Sequence, residues 1–453
     1  MKKKILKVVI FIALVVIAVL NSYFFTHLYS LDEIWNYGFA LNITEGLVPY
    51  KDYNMVIAPL FSYLLSVVLI IFGKKLIVYH ILIAVMVVII TYLASKKIKF
   101  YSILIYVAML IYSANGYNTF TLFCLFILLY LLDKEDDKYN DVIIPIIVGI
   151  MALTKQTLVL LVIPSLIYSK NKKKTLAVYL TIFFSFLLYL ISQNNLLQFF
   201  DYCLFGMFEF ADKNKLPVFI YVFLEIVMII GLLVTLIRSK LKCKDIFYVL
   251  MYQIIALPIL DVYHFLLGWC AVVYIIFQSK KTTEYFKNCL FIFLIIVEFY
   301  LLFATNTVFT IRDAEYFEHY PEQTFLEGRL VPIITKHYLK EMDDFIKKYP
   351  EHKLYVFGNY AYIVKLSLDI PVTKFDLINN GNMGYNGASK YIEEIDKTCF
   401  KKECLFIVND SELNSQLYNQ TNKNILMFVK NNYTKIYSSS VFGVYITQDG
   451  DVR

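Results

Sequence analysis

The sequence predicts a polytopic all-α transmembrane bundle of about 11 helices, followed by a small α/β domain. Of its 453 residues, 59% are hydrophobic and only 17% are charged, and the mean hydropathy is +0.61. A soluble domain cannot cover so much apolar side chain with polar surface, whereas a chain surrounded by lipid can. The apolar runs stop near residue 304, where the composition becomes mixed. We therefore predict a membrane domain over residues 1–304 and a second domain over residues 305–453.

The candidate spans are long apolar runs with polar or charged ends, each near the 20 or so residues that cross a bilayer. They are 5–24, 55–73, 76–95, 100–114, 118–132, 142–169, 175–192, 216–237, 245–262, 265–279 and 285–304. Lys155-Gln156 interrupts the long segment 142–169, which is therefore either one broken helix or two half-helices.

The distribution of basic residues predicts which loops face the cytoplasm. Of the 43 Lys and Arg, 17 lie after residue 304, where 19 of the 36 Asp and Glu also lie, so the basic excess belongs to the apolar part. Such an excess marks cytoplasmic loops, and no nucleic acid partner is expected. The clusters assigned to the cytoplasm are Lys2–Lys4, Lys74-Lys75, Lys170–Lys174, Arg238–Lys244 and Lys280-Lys281.

This orientation predicts an integral, multi-pass membrane protein with a cytoplasmic N-terminus. Residues 25–54, 193–215 and 305–453 are then left outside, which makes the C-terminal domain extracytoplasmic. The amphipathic loop 193–215 is expected to lie in the plane of the membrane interface. One conflict remains, because the scheme places the basic segment Lys96–Lys99 on the outer side.

The C-terminal part carries the pattern of an α/β domain. Lys353–Gly358 and Cys404–Val408 are short apolar runs that end in turn residues, and they predict buried strands of βα units. Tyr437–Thr447 could add an edge hairpin, and the Asn- and Gly-rich segment Asn379–Gly387 predicts a loop. Cys399 lies close enough to Cys404 to pair in an oxidising compartment, although two free thiols are an equal alternative.

The first outer loop is the most informative segment. It begins with the acidic pair Asp32-Glu33 directly after the first apolar run, and continues through Glu45–Asp52 to Pro59-Leu60. A carboxylate at the mouth of a helix bundle could accept the proton of a reacting hydroxyl group. The alternative is an ordinary solvated pair that caps an interfacial helix.

The same segment resembles the GT-C glycosyltransferases over about residues 28–73. An acidic pair, an aromatic residue, Gly-x-x-Pro-Tyr-x-Asp and then Pro-Leu are most similar to protein O-mannosyltransferases and the aminoarabinose transferase of lipid A (glycosyltransferase family 39-like). The resemblance implies a GT-C-like bundle with a polyprenyl-phosphate sugar donor. It also implies a lipid, glycan or protein acceptor on the outer face of the membrane.

By this resemblance Asp32 is the general base and Glu33 its neighbour, while Tyr50 and Asp52 belong to the substrate-binding loop. The next outer loop offers no second carboxylate, since Tyr112–Thr119 contains Asn115 and Asn118 but no Asp or Glu. A need for a divalent cation and the class of acceptor therefore stay open.

Polar residues within the apolar runs supply further candidates, because ionisable groups at membrane depth are costly. Lys155 could neutralise a donor phosphate or pair with a first-loop carboxylate; alternatively it snorkels to the interface at a helix break. Asp261 and His264 are three residues apart and would share a helical face, so they could line the same cavity. The alternative is a loop histidine and a helix-capping aspartate.

No cofactor is predicted, because no Cys/His pattern has metal-ligand spacing and no glycine motif for nucleotides is present. Two other classes of function remain as alternatives. A lipid-linked oligosaccharide flippase or permease would spread ionisable residues along a central pathway. A non-enzymatic anchor that displays the C-terminal domain would leave the polar residues at membrane depth unexplained.

Overall fold

The computed structural model describes most of the bundle and of the C-terminal domain. The residues that it describes are 12, 16, 31–98, 116–134, 139–206, 218–238, 242–257, 262–278, 287–288, 292, 317–319, 330–357, 364–366, 368, 370, 373–375, 378, 382–408, 423–439 and 442–447. The predicted spans 5–24, 100–114 and 285–304 and the predicted domain boundary at 304 lie wholly or mostly outside them. The total number of helices therefore stays a prediction.

The first described helices are α1 (Leu31–Thr44) and α2 (Leu60–Phe72). The 13 residues of α2 span only about 20 Å, too short for a hydrocarbon core of about 30 Å. Just after α2, the Lys74 ammonium pairs with Glu45, and the Lys74 carbonyl accepts a hydrogen bond of 2.8 Å from the Tyr37 hydroxyl. Both ends of α2 thus lie on the same side of the bundle as the α1–α2 loop.

The prediction of a membrane-crossing segment over 55–73 is therefore wrong. The apolar run 55–73 consists of a short helix and a non-helical segment before it. Val67, Ile70 and Phe72 are 53%, 65% and 69% exposed, as expected for a helix that lies along the membrane interface.

The helices α3 (Leu76–Ser95) and α4 (Gly116–Leu132) run side by side in the same direction. Near their first residues, Tyr79 of α3 lies against Gly116. Beyond their last residues, Lys97 forms an ion pair with Asp133. Lys97 therefore lies at the end of the bundle opposite Lys74. Because α2 does not cross, these two basic segments change sides relative to the prediction. Lys74 lies with the α1–α2 loop, so the prediction that Lys74-Lys75 faces the cytoplasm is wrong, and the conflict predicted at Lys97 is removed.

The segment 142–169 forms two antiparallel half-helices. A π-helical turn (Tyr139–Ile143) leads into α5 (Ile144–Ala152), and a 3₁₀ helix (Gln156–Leu161) leads into α6 (Val162–Tyr168). The Ser169 hydroxyl donates to Asp141 Oδ1 at 2.8 Å, so the two outer ends of this hairpin meet. Lys155 lies at its tip, and of the two predicted alternatives the half-helices are confirmed.

The remaining helices of the bundle continue the chain. They are α7 (Lys172–Ser192), α8 (Leu196–Phe200) with a π-helical turn (Asp201–Phe205), α9 (Val218–Arg238), α10 (Cys243–Tyr252) with a 3₁₀ helix (Gln253–Ala256), and α11 (Val262–Gln278). Among the described residues, α3 and α7 are long and apolar enough to cross a membrane unaided. Leu197 of α8 is 79% exposed, in keeping with the interfacial position predicted for 193–215.

The C-terminal part contains a four-stranded sheet of order β3-β4-β6-β5 and a separate antiparallel pair, β1 and β2. Its elements are β1 (Phe317–His319), β2 (Leu330–Pro332), α12 (Ile333–Lys348), β3 (Lys353–Phe357), α13 (Gly387–Cys399), β4 (Cys404–Val408), α14 (Lys423–Asn432), β5 (Thr434–Ser438) and β6 (Gly443–Ile446).

Both predicted strands are present, and they pair in parallel with Lys353 opposite Cys404. The predicted hairpin forms too, but β6 pairs with both β4 and β5, so of the two hairpin strands only β5 lies at an edge of the sheet. A disulfide joins Cys399 to Cys404 with a Cα–Cα distance of 5.5 Å, which links the end of α13 to the start of β4.

Single cysteines at lysine positions test the position of α2. With exposed Cys243 replaced by serine, Lys51→Cys and Lys74→Cys should react with a membrane-impermeant maleimide from the same side, because α2 does not cross. Lys173→Cys, beyond α6, should react only from the other side. Reaction of the cysteines at 51 and 74 from opposite sides would show that α2 spans the membrane.

Candidate functional site

A buried lysine defines the polar site at the tip of the α5–α6 hairpin. Lys155 is 5% exposed, and its extended backbone (φ −139°, ψ 110°) breaks the helix. Its ammonium donates to the Ile255 carbonyl at 2.6 Å and to Asn118 Oδ1 at 3.3 Å, and lies 5.7 Å from the Tyr117 ring centroid. A buried charge is tolerated only where such partners replace water. The snorkelling interpretation of Lys155 is therefore wrong.

Asn118 connects this lysine to His264. An ammonium has only donors, so the amide oxygen of Asn118 must face Lys155 and its Nδ2 must face away. Nδ2 lies 3.3 Å from His264 Nε2. Since Nδ2 is a donor, Nε2 accepts, and the ring proton sits on Nδ1. His264 is 1% exposed within α11, so it is not the loop residue of the alternative interpretation.

Gly116 brings α1 against this cluster. A Cβ at Gly116 would lie 2.7 Å from the Tyr79 hydroxyl and 2.8 Å from Cγ and Nδ2 of Asn36. Only a residue without a side chain permits that approach. Asn36 itself is 2% exposed. The α1 helix therefore packs directly on the first turn of α4, where Tyr117 and Asn118 follow Gly116.

The structure brings two of the predicted site residues together, and the side chains of three others lie outside the described part. Lys155 and His264 share the cluster through Asn118. Asp32 and Glu33 lie in the first turn of α1, but their side chains are outside the described part. Asp261 lies outside the described residues altogether.

Tyr50 and Asp52 hold the α1–α2 loop in shape. Tyr50 adopts φ +69°, is fully buried and donates to the Ile57 carbonyl at 2.7 Å. Burial raises the pKa of its phenol well above the usual value, so the group stays a donor. Asp52 Oδ2 accepts from the Val48 amide at 2.7 Å. Their part in substrate binding stays a prediction.

Three amide side chains of this region were not among the predicted site residues. They are Asn36, Gln156 and Asn118. Their signal was a polar amide beside an acidic pair or at the interruption of an apolar run. Among the described residues, no group of three His, Cys, Asp or Glu side chains could hold a metal ion.

The cluster combines a positive charge with hydrogen-bond donors in a site shielded from water. Such an arrangement suits an anion, since charge-assisted hydrogen bonds are strong where few waters compete. A phosphate group next to Lys155 could replace the 3.3 Å contact to Asn118 and keep the shorter one to Ile255.

The Asn118→Leu variant tests the cluster as a unit. It leaves the buried ammonium with fewer acceptors, and we expect the free energy of unfolding to fall by about 1–3 kcal/mol. Adding Lys155→Met should recover part of this loss, because the buried charge is then removed. Thermal unfolding of the purified protein measures both. Asn432→Leu on the exposed face of α14 is the matched control, and Asn118→Leu as stable as that control would contradict the pairing.

Comparison with known proteins shows the fold. No family model and no curated protein matches the chain. The crystal structure of ArnT from Cupriavidus metallidurans bound to undecaprenyl phosphate matches with a TM-score of 0.57 over 98% of this chain and 99% of that one, at 11% sequence identity. ArnT is an aminoarabinose transferase of GT-C fold. The chain therefore has the GT-C fold, as the first-loop resemblance implied.

Proposed function

We propose that this protein is a membrane glycosyltransferase that moves a sugar from a polyprenyl-phosphate donor to an acceptor on the outer face of the membrane. The observation that carries the proposal is the buried Lys155–Asn118–His264 cluster beneath α1, the helix that begins with Asp32 and Glu33. The likeness to ArnT, whose structure contains undecaprenyl phosphate, supports a polyprenyl-phosphate carrier.

The position of Asp32 supports its role as the general base. Position 32 is one turn before Asn36 and on the same face of α1, and Asn36 packs against Gly116. The base is thus carried by the helical face that adjoins the Lys155 cluster. Glu33 is its neighbour in the first turn and raises the negative potential there.

The reaction is a single displacement with inversion, by analogy with the family. Asp32 accepts the proton of the acceptor hydroxyl while its oxygen attacks the anomeric carbon. The bond from that carbon to the phosphate oxygen breaks, and the polyprenyl phosphate leaves with the electron pair. Removing a proton in step with the attack makes the hydroxyl a competent nucleophile.

The leaving phosphate gains negative charge, which Lys155 is placed to stabilise. Its ammonium is already desolvated, so little reorganisation is needed when the charge develops. His264 acts one step further away, since its Nε2 holds the Asn118 amide that faces Lys155. Tyr50 and Asp52 shape the loop above, and Asp261 precedes the helix that carries His264.

The lysines at the end of the bundle opposite the cluster support a cytoplasmic N-terminus, whereas Lys74-Lys75 lies at the cluster end. Exposed lysines follow α3 and α6 at the end of the bundle opposite the cluster, as expected for a cytoplasmic face. The N-terminus would then be cytoplasmic. The C-terminal domain contacts the cluster end, and its disulfide fits an oxidising compartment.

Asp32→Asn tests the base. One acid–base group typically accelerates a reaction 10²–10⁴-fold. We therefore expect Asp32→Asn to slow sugar transfer at least a hundredfold, with normal membrane insertion. The assay follows release of undecaprenyl phosphate from undecaprenyl-phosphate hexoses and pentoses, with native membranes as the source of acceptors. Asp343→Asn on α12 is the matched control and should retain full activity. Full activity of Asp32→Asn would remove Asp32 from the mechanism.

Lys155→Met tests the phosphate contact. Losing a charge-assisted hydrogen bond costs about 1.5–3 kcal/mol, so the Kd for undecaprenyl phosphate should rise about 10- to 100-fold. Binding of undecaprenyl phosphate to the purified protein gives this value directly. A Kd equal to that of the unmodified protein would show that Lys155 has only a structural role.

A further inference from the structure

Gln156 bridges two segments that are far from it in sequence. Its Nε2 donates both hydrogens, to the Val56 carbonyl and to the Cys203 carbonyl, each at 2.9 Å. Val56 belongs to the α1–α2 loop, and Cys203 belongs to the π-helical turn after α8. Gln156 also follows Lys155 directly, so the bridge and the buried cation share the tip of one hairpin.

The two bridged segments are also joined to each other. Asn195 Nδ2 donates to the Pro49 carbonyl at 2.8 Å, and the Cys203 thiol lies 3.6 Å from the Met55 carbonyl. The Tyr50 ring meets Phe199 edge-on at 5.3 Å. The α1–α2 loop and residues 195–203 therefore form one packed unit that rests on Gln156.

This unit binds the C-terminal domain through hydrogen bonds. Asn54 donates from its backbone amide to the Lys374 carbonyl and from Nδ2 to the Asn382 carbonyl, both at 2.8 Å. Asp201 Oδ1 accepts from the Tyr385 amide at 2.9 Å.

The neighbouring residues fit this contact closely. A Cβ on Gly384, at φ +77°, would lie 2.5 Å from Asp201 Oδ2, so a side chain there would disrupt it. Tyr202 packs edge-on against Phe375 at 6.2 Å. Asn382 is 1% exposed, so the seam between the two parts is closed.

We propose that Gln156 is a positioning residue that couples docking of the C-terminal domain to the geometry of the catalytic end of the bundle. The coupling runs from the domain through Asn54 and Asp201 to the loop unit, and from there through Gln156 to the tip that holds Lys155. The inference rests on the proposed function for its catalytic part. The docking part is independent of it.

Hydrogen exchange of the full-length protein tests the docking part. Removing the two hydrogen bonds with Gln156→Leu should speed exchange about tenfold at the Asn54 and Tyr385 amides, which bond to the opposite part of the molecule. Gln156→Glu keeps the size of the side chain but cannot donate to two carbonyls, so it should speed exchange at the same amides as Gln156→Leu does. If Gln156→Glu exchanges like the unmodified protein, packing rather than hydrogen bonding holds the unit, and the proposal fails.

Asp141→Asn is the matched control at the other end of the same hairpin. Asp141 Oδ1 also bridges segments, since it accepts from Ser169 Oγ at 2.8 Å and from the Lys170 amide at 3.0 Å. This variant should lower stability without faster exchange at Asn54 or Tyr385. Equal acceleration by Asp141→Asn and Gln156→Leu would show general loosening and overturn the proposal.

Kinetics test the catalytic part. Both Gln156 variants should lower the maximal rate of undecaprenyl phosphate release at least fivefold and leave the Kd for undecaprenyl phosphate within about twofold, because Lys155 remains. Asp201→Ala alters no membrane helix and should also lower the maximal rate of undecaprenyl phosphate release. It replaces the Gln156 variants in this test if they do not fold. An unchanged rate in Asp201→Ala would overturn the coupling. Absence of transfer by the unmodified protein would instead refute the proposed function, whatever the exchange data show.

Discussion

The burial of the Lys155 ammonium is the constraint on which the cluster end of the bundle depends. A charge removed from water must find oxygen partners, or its desolvation destabilises the fold. Here one partner is the Ile255 carbonyl, near the end of a short 3₁₀ helix where the last carbonyls have no helical donor. Another is Asn118, in the first turn of α4. Two interrupted helices and one helix start are therefore held together by a single cation.

The neighbouring residues 155 and 156 bind different parts of the molecule. Because the backbone is extended at Lys155, successive side chains leave in different directions. Lys155 enters the bundle, while Gln156 reaches the carbonyls of the loop unit. A continuous α-helix could not serve both sides, since adjacent residues would be separated by only about 100° around one axis. The helix break is thus what joins the bundle to the loops and, through Asn54 and Asp201, to the C-terminal domain.

Several features could be predicted from the sequence because they depend on neighbours along the chain. The two apolar runs after residue 350 formed strands, the Lys155-Gln156 interruption ended one half-helix and began another, and the first-loop motif implied the GT-C fold. The α2 helix could not be predicted correctly. Its 13 residues and the flank before it contain enough apolar side chains for a full span, and the contacts of Lys74 with Glu45 and Tyr37 reveal that both ends lie on one side.

The sequence by itself determined the membrane class, the strands, the site of the helix break and the presence of ionisable groups at a costly depth. The tertiary structure alone decided which partners those groups have. Asn118 lies 37 residues from Lys155 and 146 from His264, and Gln156 lies 100 from Val56. The physical reason is that a polar side chain in an apolar run shows that a partner is needed, whereas helix packing sets which distant residue supplies it.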